Sequence, residues 1–259
     1  MDRRKFLGLI GGAAALGVAG KASYELIAAG EIDMHLQGAE GKRWAMVIDT
    51  GKFDADAHKK CIHACNEVHN VPDIENPNHE IKWIWTENYH HAFIEQENPN
   101  LPDVVKEMPV LLLCNHCDKP PCTNVCPTKA TWRREDGIVM MDWHRCIGCR
   151  YCIAACPYGS RSFNFIEPRQ HVENITEHFP ARTRGVVEKC TFCAELIVDG
   201  EYTRPPACVE AAPKNAIFFG DLHDKNSDVY KILKKRFSIR RKPELGTHPE
   251  VYYLVDEEV

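Results

Sequence analysis

Apolar and polar positions alternate, or give way to β-branched and aromatic runs, over five short stretches: 43–49, 138–142, 161–166, 216–220 and 251–254. Each reads as a strand. Short helices are expected over 61–70 and 152–156, and a helical pattern starts at Ser227. Residues 76–109 are polar and marked by prolines, so they read as an insertion packing over one face. Trp83-Ile84-Trp85 and Tyr89 stand out within it as a strand in the core or an aromatic partner surface. No apolar stretch approaches the ~20 residues that a spanning helix needs.

The N-terminus follows a different pattern. Arg3-Arg4-Lys5 precedes a 14-residue uncharged segment from Leu7 to Gly20, rich in glycine and alanine. A basic head before a short apolar run is an export signal, and paired arginines before Phe6-Leu7 are of the twin-arginine kind. Residues 1–30 are therefore set apart as a signal segment, cleaved or kept as an anchor, and a periplasmic or extracytoplasmic location is expected.

Charge excludes one class of partner. The net charge is −5; residues 1–30 carry +2 and the remainder −7. Nucleic acid requires a basic face, so none is expected as a partner. No nucleophile elbow, P-loop or dinucleotide fingerprint occurs.

The 13 cysteines carry the chemistry. Cys146, Cys149, Cys152 and Cys156 are spaced C-x2-C-x2-C-x3-C and followed by Pro157. That is the bacterial ferredoxin run for a [4Fe–4S] cluster. Cys114, Cys117, Cys122 and Cys126 form a second run, C-x2-C-x4-C-x3-C, followed by Pro127. A zinc ribbon needs only paired C-x2-C knuckles, and a disulfide framework fits neither the spacing nor the odd count. In two-cluster ferredoxins the fourth cysteine serves the other cluster. One cluster is thus expected on Cys114, Cys117, Cys122 and Cys156, and its neighbour on Cys146, Cys149, Cys152 and Cys126.

Several segments together resemble the four-cluster ferredoxin subunits of membrane-linked molybdopterin and quinone oxidoreductases. They are Met46-Val47-Ile48-Asp49, Cys114-Asn115-His116-Cys117, His144-Arg145-Cys146-Ile147-Gly148-Cys149, Ala155-Cys156-Pro157-Tyr158-Gly159 and Lys189-Cys190-Thr191-Phe192-Cys193. The resemblance spans about residues 43–220. It implies a third cluster on Cys190, Cys193, Cys208 and Cys65. A fourth would need thiols at 55, 58, 61 and 212, where Ala55, His58, Cys61 and Ala212 stand. Three of these four are missing, so the resemblance implies three [4Fe–4S] clusters and one vacated site. Cys61 is left as a buried thiol, or as part of a mixed zinc site with His58, Asp56 or His63.

The implied fold is α+β: two nested ferredoxin-like [4Fe–4S] modules with short antiparallel strands and short helices. The inner two-cluster module spans 114–180, the outer module 31–113 and 181–222, and a C-terminal extension 223–259. Within the family, Pro127-Thr128-Lys129-Ala130-Thr131, Pro157-Tyr158-Gly159-Ser160-Arg161-Ser162-Phe163 and Lys242-Pro243-Glu244-Leu245-Gly246-Thr247 are most similar to the DsrO-type exported subunits of DsrMKJOP complexes. That likeness implies a non-catalytic electron-transfer role in sulfur metabolism. Its implied partners are an integral-membrane quinone-binding subunit, a multihaem cytochrome c and a cytoplasmic-side heterodisulfide-reductase-like subunit. The ferredoxin subunit of a molybdopterin reductase, such as a polysulfide or tetrathionate enzyme, is the alternative.

Three other features invite chemistry. His90-His91 and His116 are candidate ligands, and His116 sits in a cluster loop. The basic run Lys231, Lys234, Lys235, Arg236, Arg240, Arg241 and Lys242 is a helix-end complement or a docking patch.

Overall fold

The computed structural model describes residues 41–255. Residues 1–30, expected as a signal segment, lie outside them. Among the described residues, no helix is long and apolar enough to cross a membrane.

The strand Trp44–Asp49 is buried along its whole length. It lacks polar alternation because both of its faces are covered. Trp44, Met46 and Ile48 enter the main core, whereas Ala45 and Val47 pack with Val229 and Leu254 on the other side. It is flanked by Ile217–Asp221, antiparallel, and by Val251–Leu254, parallel. Ser238–Ile239 closes the far edge, antiparallel to Val251–Leu254. The expectation of purely antiparallel strands is therefore corrected, because residues 251–254 run alongside the central strand in its own direction. The segment expected as a C-terminal extension thus supplies an interior strand of the largest sheet.

Four two-stranded pairs complete the β-structure, and three of them deliver cysteines. Ile84–Asn88 pairs with Pro109–Leu113, which ends directly before Cys114. Thr131–Arg133 pairs with Val139–Met141, between Cys126 and Cys146. Ser162–Phe163 pairs with Val187–Glu188, two residues before Cys190.

The strand Ile84–Asn88 and its neighbours carry the middle of residues 76–109 into the core, while 94–109 stays exposed or half-buried. Trp83 is 1% exposed, and Phe93 is fully buried. The Trp83 indole donates to Glu188 at 2.9 Å, and the same carboxylate accepts from Arg182 at 2.7 Å. Arg182 also lies over the Trp83, Trp143 and Phe179 rings. This buried ion pair has its hydrogen bonds made, the condition under which such burial is tolerated.

Two helices have clear start signals. Ala55–Val68 begins where the Asp54 carboxylate accepts from the Ala57 amide at 2.6 Å. Asp228–Lys235 begins at Ser227, whose hydroxyl accepts from the Tyr230 amide at 3.1 Å. In each case the cap satisfies one of the amides that a helix start leaves without a partner. The longer helix packs against the short one at Ala207–Ala211.

Candidate metal centres

Tight loops turn the thiols inward. Gly148 sits at φ +70°, and a Cβ there would lie 2.5 Å from the Gly185 carbonyl oxygen. Only glycine fits that approach. Residues with side chains, His116, Arg150, Phe192 and Cys193, also take left-handed backbone in these loops. Strain of this kind gathers where geometry is dictated by a site.

Cys114, Cys117, Cys122 and Cys156 line one cavity, of about 320 Å³. Cys126, Cys146, Cys149 and Cys152 line a second, of about 270 Å³. Each quartet draws three thiols from one run and one from the other. Cys65, Cys190, Cys193 and Cys208 are all buried, and Cys190, Cys193 and Cys208 each act electrostatically on Cys65. Cys65 comes from the long helix, Cys208 from the short helix beside it, and Cys190 and Cys193 from the loop after Val187–Glu188. The first quartet borders both others. Cys114 acts on Cys190, and Arg161 stands between Cys122 and Cys152.

Burial pushes the Cys117 and Cys190 thiols up to about 12. It also raises Cys65, Cys193 and Cys208. Cys126 differs. Burial favours its neutral form, but hydrogen bonds from the Thr128 hydroxyl and nearby amides hold it below its usual value. Convergent thiols, seven of the twelve buried and five half-buried, fit an iron–sulfur cluster, because soft sulfur donors suit iron and ligation displaces the thiol proton.

The other sequence candidates fall elsewhere. Cys61 is fully buried, and its thiol donates to the Cys208 carbonyl at 3.4 Å. Burial raises it to about 11. Neighbouring Asp56 and His63 instead point to solvent, pairing with Lys60 and Glu67. His58 Nδ1 donates to the Asp54 carbonyl at 2.8 Å, and its ring stacks on Phe53. The mixed-ligand zinc set is thus not drawn together. His90 donates to the Lys106 carbonyl, while exposed His91 pairs with Glu87.

His116 packs 3.7 Å from the Phe192 ring, and its Nδ1 accepts from the Val139 amide at 3.0 Å. Burial, with Lys189 adjacent, holds its pKa well below the usual histidine value. Much of the late basic run is structural: Arg236 pairs with Asp49 at 2.5 Å, Arg241 donates to the Ala92 carbonyl, and Lys242 donates to the Pro157 carbonyl at 2.7 Å.

Some polar neighbours of the thiols are not announced by any spacing. His69 lies against Cys65, with Nδ1 3.6 Å from its sulfur, and its Nε2 is 2.9 Å from Glu195. Those two residues and Cys193 bring their ligand atoms within 4.8 Å of one another. Lys189 is fully buried and donates to the carbonyls of Val139 and Cys190. The Tyr158 and Thr247 hydroxyls are hydrogen-bonded beside the first quartet. Lys189 and Tyr158 stand in family-like segments, but nothing in their spacing assigns them these contacts.

Residues 108–222 match the family model described as a 4Fe-4S dicluster domain. The chain is 40% identical to the Hdr-like menaquinol oxidoreductase iron-sulfur subunit 1 of Archaeoglobus fulgidus, over 98% of this chain and 97% of that protein. It is 35% identical to the menaquinone reductase iron-sulfur cluster-binding subunit of Nitratidesulfovibrio vulgaris, over 82% and 88% of the two chains. Identity to a tetrathionate reductase subunit of Salmonella typhimurium is 37%, over 84% and 74%.

Proposed function

The chain belongs to the electron-transfer iron–sulfur subunits that carry a 4Fe-4S dicluster domain, and on that premise we propose that it relays electrons through three [4Fe–4S] clusters in a quinone-linked membrane complex. The observation that carries this reading is the crosswise assembly of two cysteine runs around two cavities, with a third buried quartet beside them. The assigned ligands are Cys114, Cys117, Cys122 and Cys156; Cys126, Cys146, Cys149 and Cys152; and Cys65, Cys190, Cys193 and Cys208.

When bound, the clusters supply reversible one-electron chemistry. The protein's part is to hold and shield them. On ligation the thiols would release their protons to solvent; the loops fix where each sulfur points, and Val139, Met141 and Val187 line the first two sites with apolar side chains. No substrate bond is made or broken by the chain.

The finer reading is a DsrO-type subunit, with an inner two-cluster module nested in an outer one whose fourth site has been lost. It is exported by the twin-arginine route to the periplasmic face. Its partners there are an integral-membrane quinone-binding subunit and a multihaem cytochrome c, with a heterodisulfide-reductase-like subunit on the cytoplasmic side. The similarity to menaquinol- and menaquinone-linked subunits supports the quinone partner. The similarity to a tetrathionate reductase subunit supports a second reading, the ferredoxin subunit of a molybdopterin reductase.

Iron and acid-labile sulfide, measured on anaerobically purified protein, test the count. Three clusters require about twelve of each per chain, and a retained fourth about sixteen. A colourless, zinc-bearing protein overturns the reading. Co-purification with haem-containing membrane subunits supports the first assignment, and molybdenum in the complex supports the second.

A further inference from the structure

Five arginines are buried among the described residues; Arg241 donates to the Ala92 carbonyl, and three others pair with carboxylates. Arg43 meets Glu250 at 2.7 Å, Arg134 meets Asp136 at 2.8 Å, and Arg182 meets Glu188 at 2.7 Å. Arg161 is 5% exposed, yet among the described residues it has no carboxylate within ion-pair distance. Its Nη2 donates to the Cys122 sulfur at 3.0 Å and to the Thr131 hydroxyl oxygen at 2.8 Å, and its Nη1 to the Met141 sulfur at 3.8 Å. Thr131 spends its own proton on the Met140 carbonyl at 2.7 Å, so its oxygen is left to accept from the guanidinium. The fork is thereby locked on the strand pair Thr131–Arg133 and Val139–Met141. On its other side stands Cys152, of the second quartet.

A guanidinium cannot shed its proton in a protein. Burying it unpaired is costly, and the group it touches that turns anionic on ligation is the Cys122 sulfur, with Cys114 and Cys152 also acting on it. We propose that Arg161 is a fixed cation that raises the reduction potentials of the two clusters on the cross-paired quartets and leaves the third cluster untouched. The inference rests on the cluster reading above. An added electron makes a cluster more negative, and a cation held this close in a dry site favours that state. The N–H donated to the Cys122 sulfur acts in the same direction. Arg161 itself lines the first cavity, and Met141, which its Nη1 meets, lines the second. It is a positioning and tuning residue rather than a catalytic one.

The test is an EPR-monitored redox titration of the anaerobically purified full chain with Arg161→Met, Arg161→Gln and Arg161→Lys variants, alongside iron analysis. Two of the three midpoints are expected to move to lower potential in the Met and Gln variants at unchanged iron content, with the third fixed. The Lys variant is expected to recover most of the shift. The Gln variant keeps a donor but no charge, so it decides the matter if the Met variant fails to load iron. Unmoved midpoints in a fully loaded variant overturn the proposal. So does an equal fall of all three, a Lys variant as low as Met, or loss of loading in both neutral variants. A wild-type chain without iron overturns the cluster reading instead, which keeps the two failures distinct.

Discussion

Cys61 and Cys65 sit four positions apart on one helix, about one turn, yet their surroundings differ. Cys65 faces three other thiols, while Cys61 touches a carbonyl and hydrophobic neighbours. Cys65→Ala is expected to remove about four irons per chain, and Cys61→Ala none, by iron analysis of purified protein. Cys61 also has a pH signature. Its folded pKa of about 11 lies above its ordinary value of 9.0. The neutral thiol therefore contributes stability that is complete below about pH 9 and lost as pH rises through 11. Denaturant unfolding at pH 8 and pH 10.5 is expected to show a smaller alkaline loss in Cys61→Ala than in the parent. Two of the quartets were legible in the sequence because ligand spacing is local and the crossover is a rule about runs; the third, on Cys65, Cys190, Cys193 and Cys208, was implied only by the family resemblance. Arg161, Lys189, His69 and Glu195 were not, because their contacts to sulfur are made by folding rather than by spacing. His69 reaches Glu195 across 126 positions.

Strands read from pattern are found within a few residues of their expected bounds, and Val251–Leu254 has the bounds expected. The pair Ile84–Asn88 and Pro109–Leu113 was hidden, because 20 residues of polar and proline-marked chain separate its halves and its apolar face is completed by residues near 182–188. The helix Asp228–Lys235 was announced by Ser227 and anchored by Val229, which is fully buried against the central strand. Ser227→Ala is expected to cost about 1 kcal/mol in denaturant unfolding, the usual worth of a helix cap. Iron content should not change, since the helix contributes no thiol. Gly148→Ala is expected to do more. It forces a side chain into the Gly185 carbonyl in a left-handed turn, so iron content should fall by about four atoms as the Cys146 loop loses its shape.

The third site shares walls with the main core, while Cys122 and Cys152 belong to a smaller buried set with Ala130, Val139, Met141 and Val187. Cys65, Cys190 and Cys208 belong to the same buried set as Trp83, Phe192 and Tyr253. Metal and hydrophobic core are one cooperative unit. Stripping iron with an anaerobic chelator is expected to abolish far-ultraviolet helix signal and visible absorbance together, in a single transition. Loss of colour with an intact fold would separate the two. At this scale the sequence showed that cysteines dominate, but not that the last strand runs parallel to the first and lies inside the sheet, a pairing across some 200 positions.

That parallel strand fixes an order of events during synthesis. All twelve assigned ligands precede Val251 in the chain, so the ribosome presents every thiol before the sheet gains its interior strand. At about 5–20 residues per second the delay after Cys208 lasts a few seconds. Until residues 251–254 emerge, at least one edge of the central strand is bare. Completion of the sheet therefore waits on the last stretch of described chain, and iron delivered before it would meet an open fold.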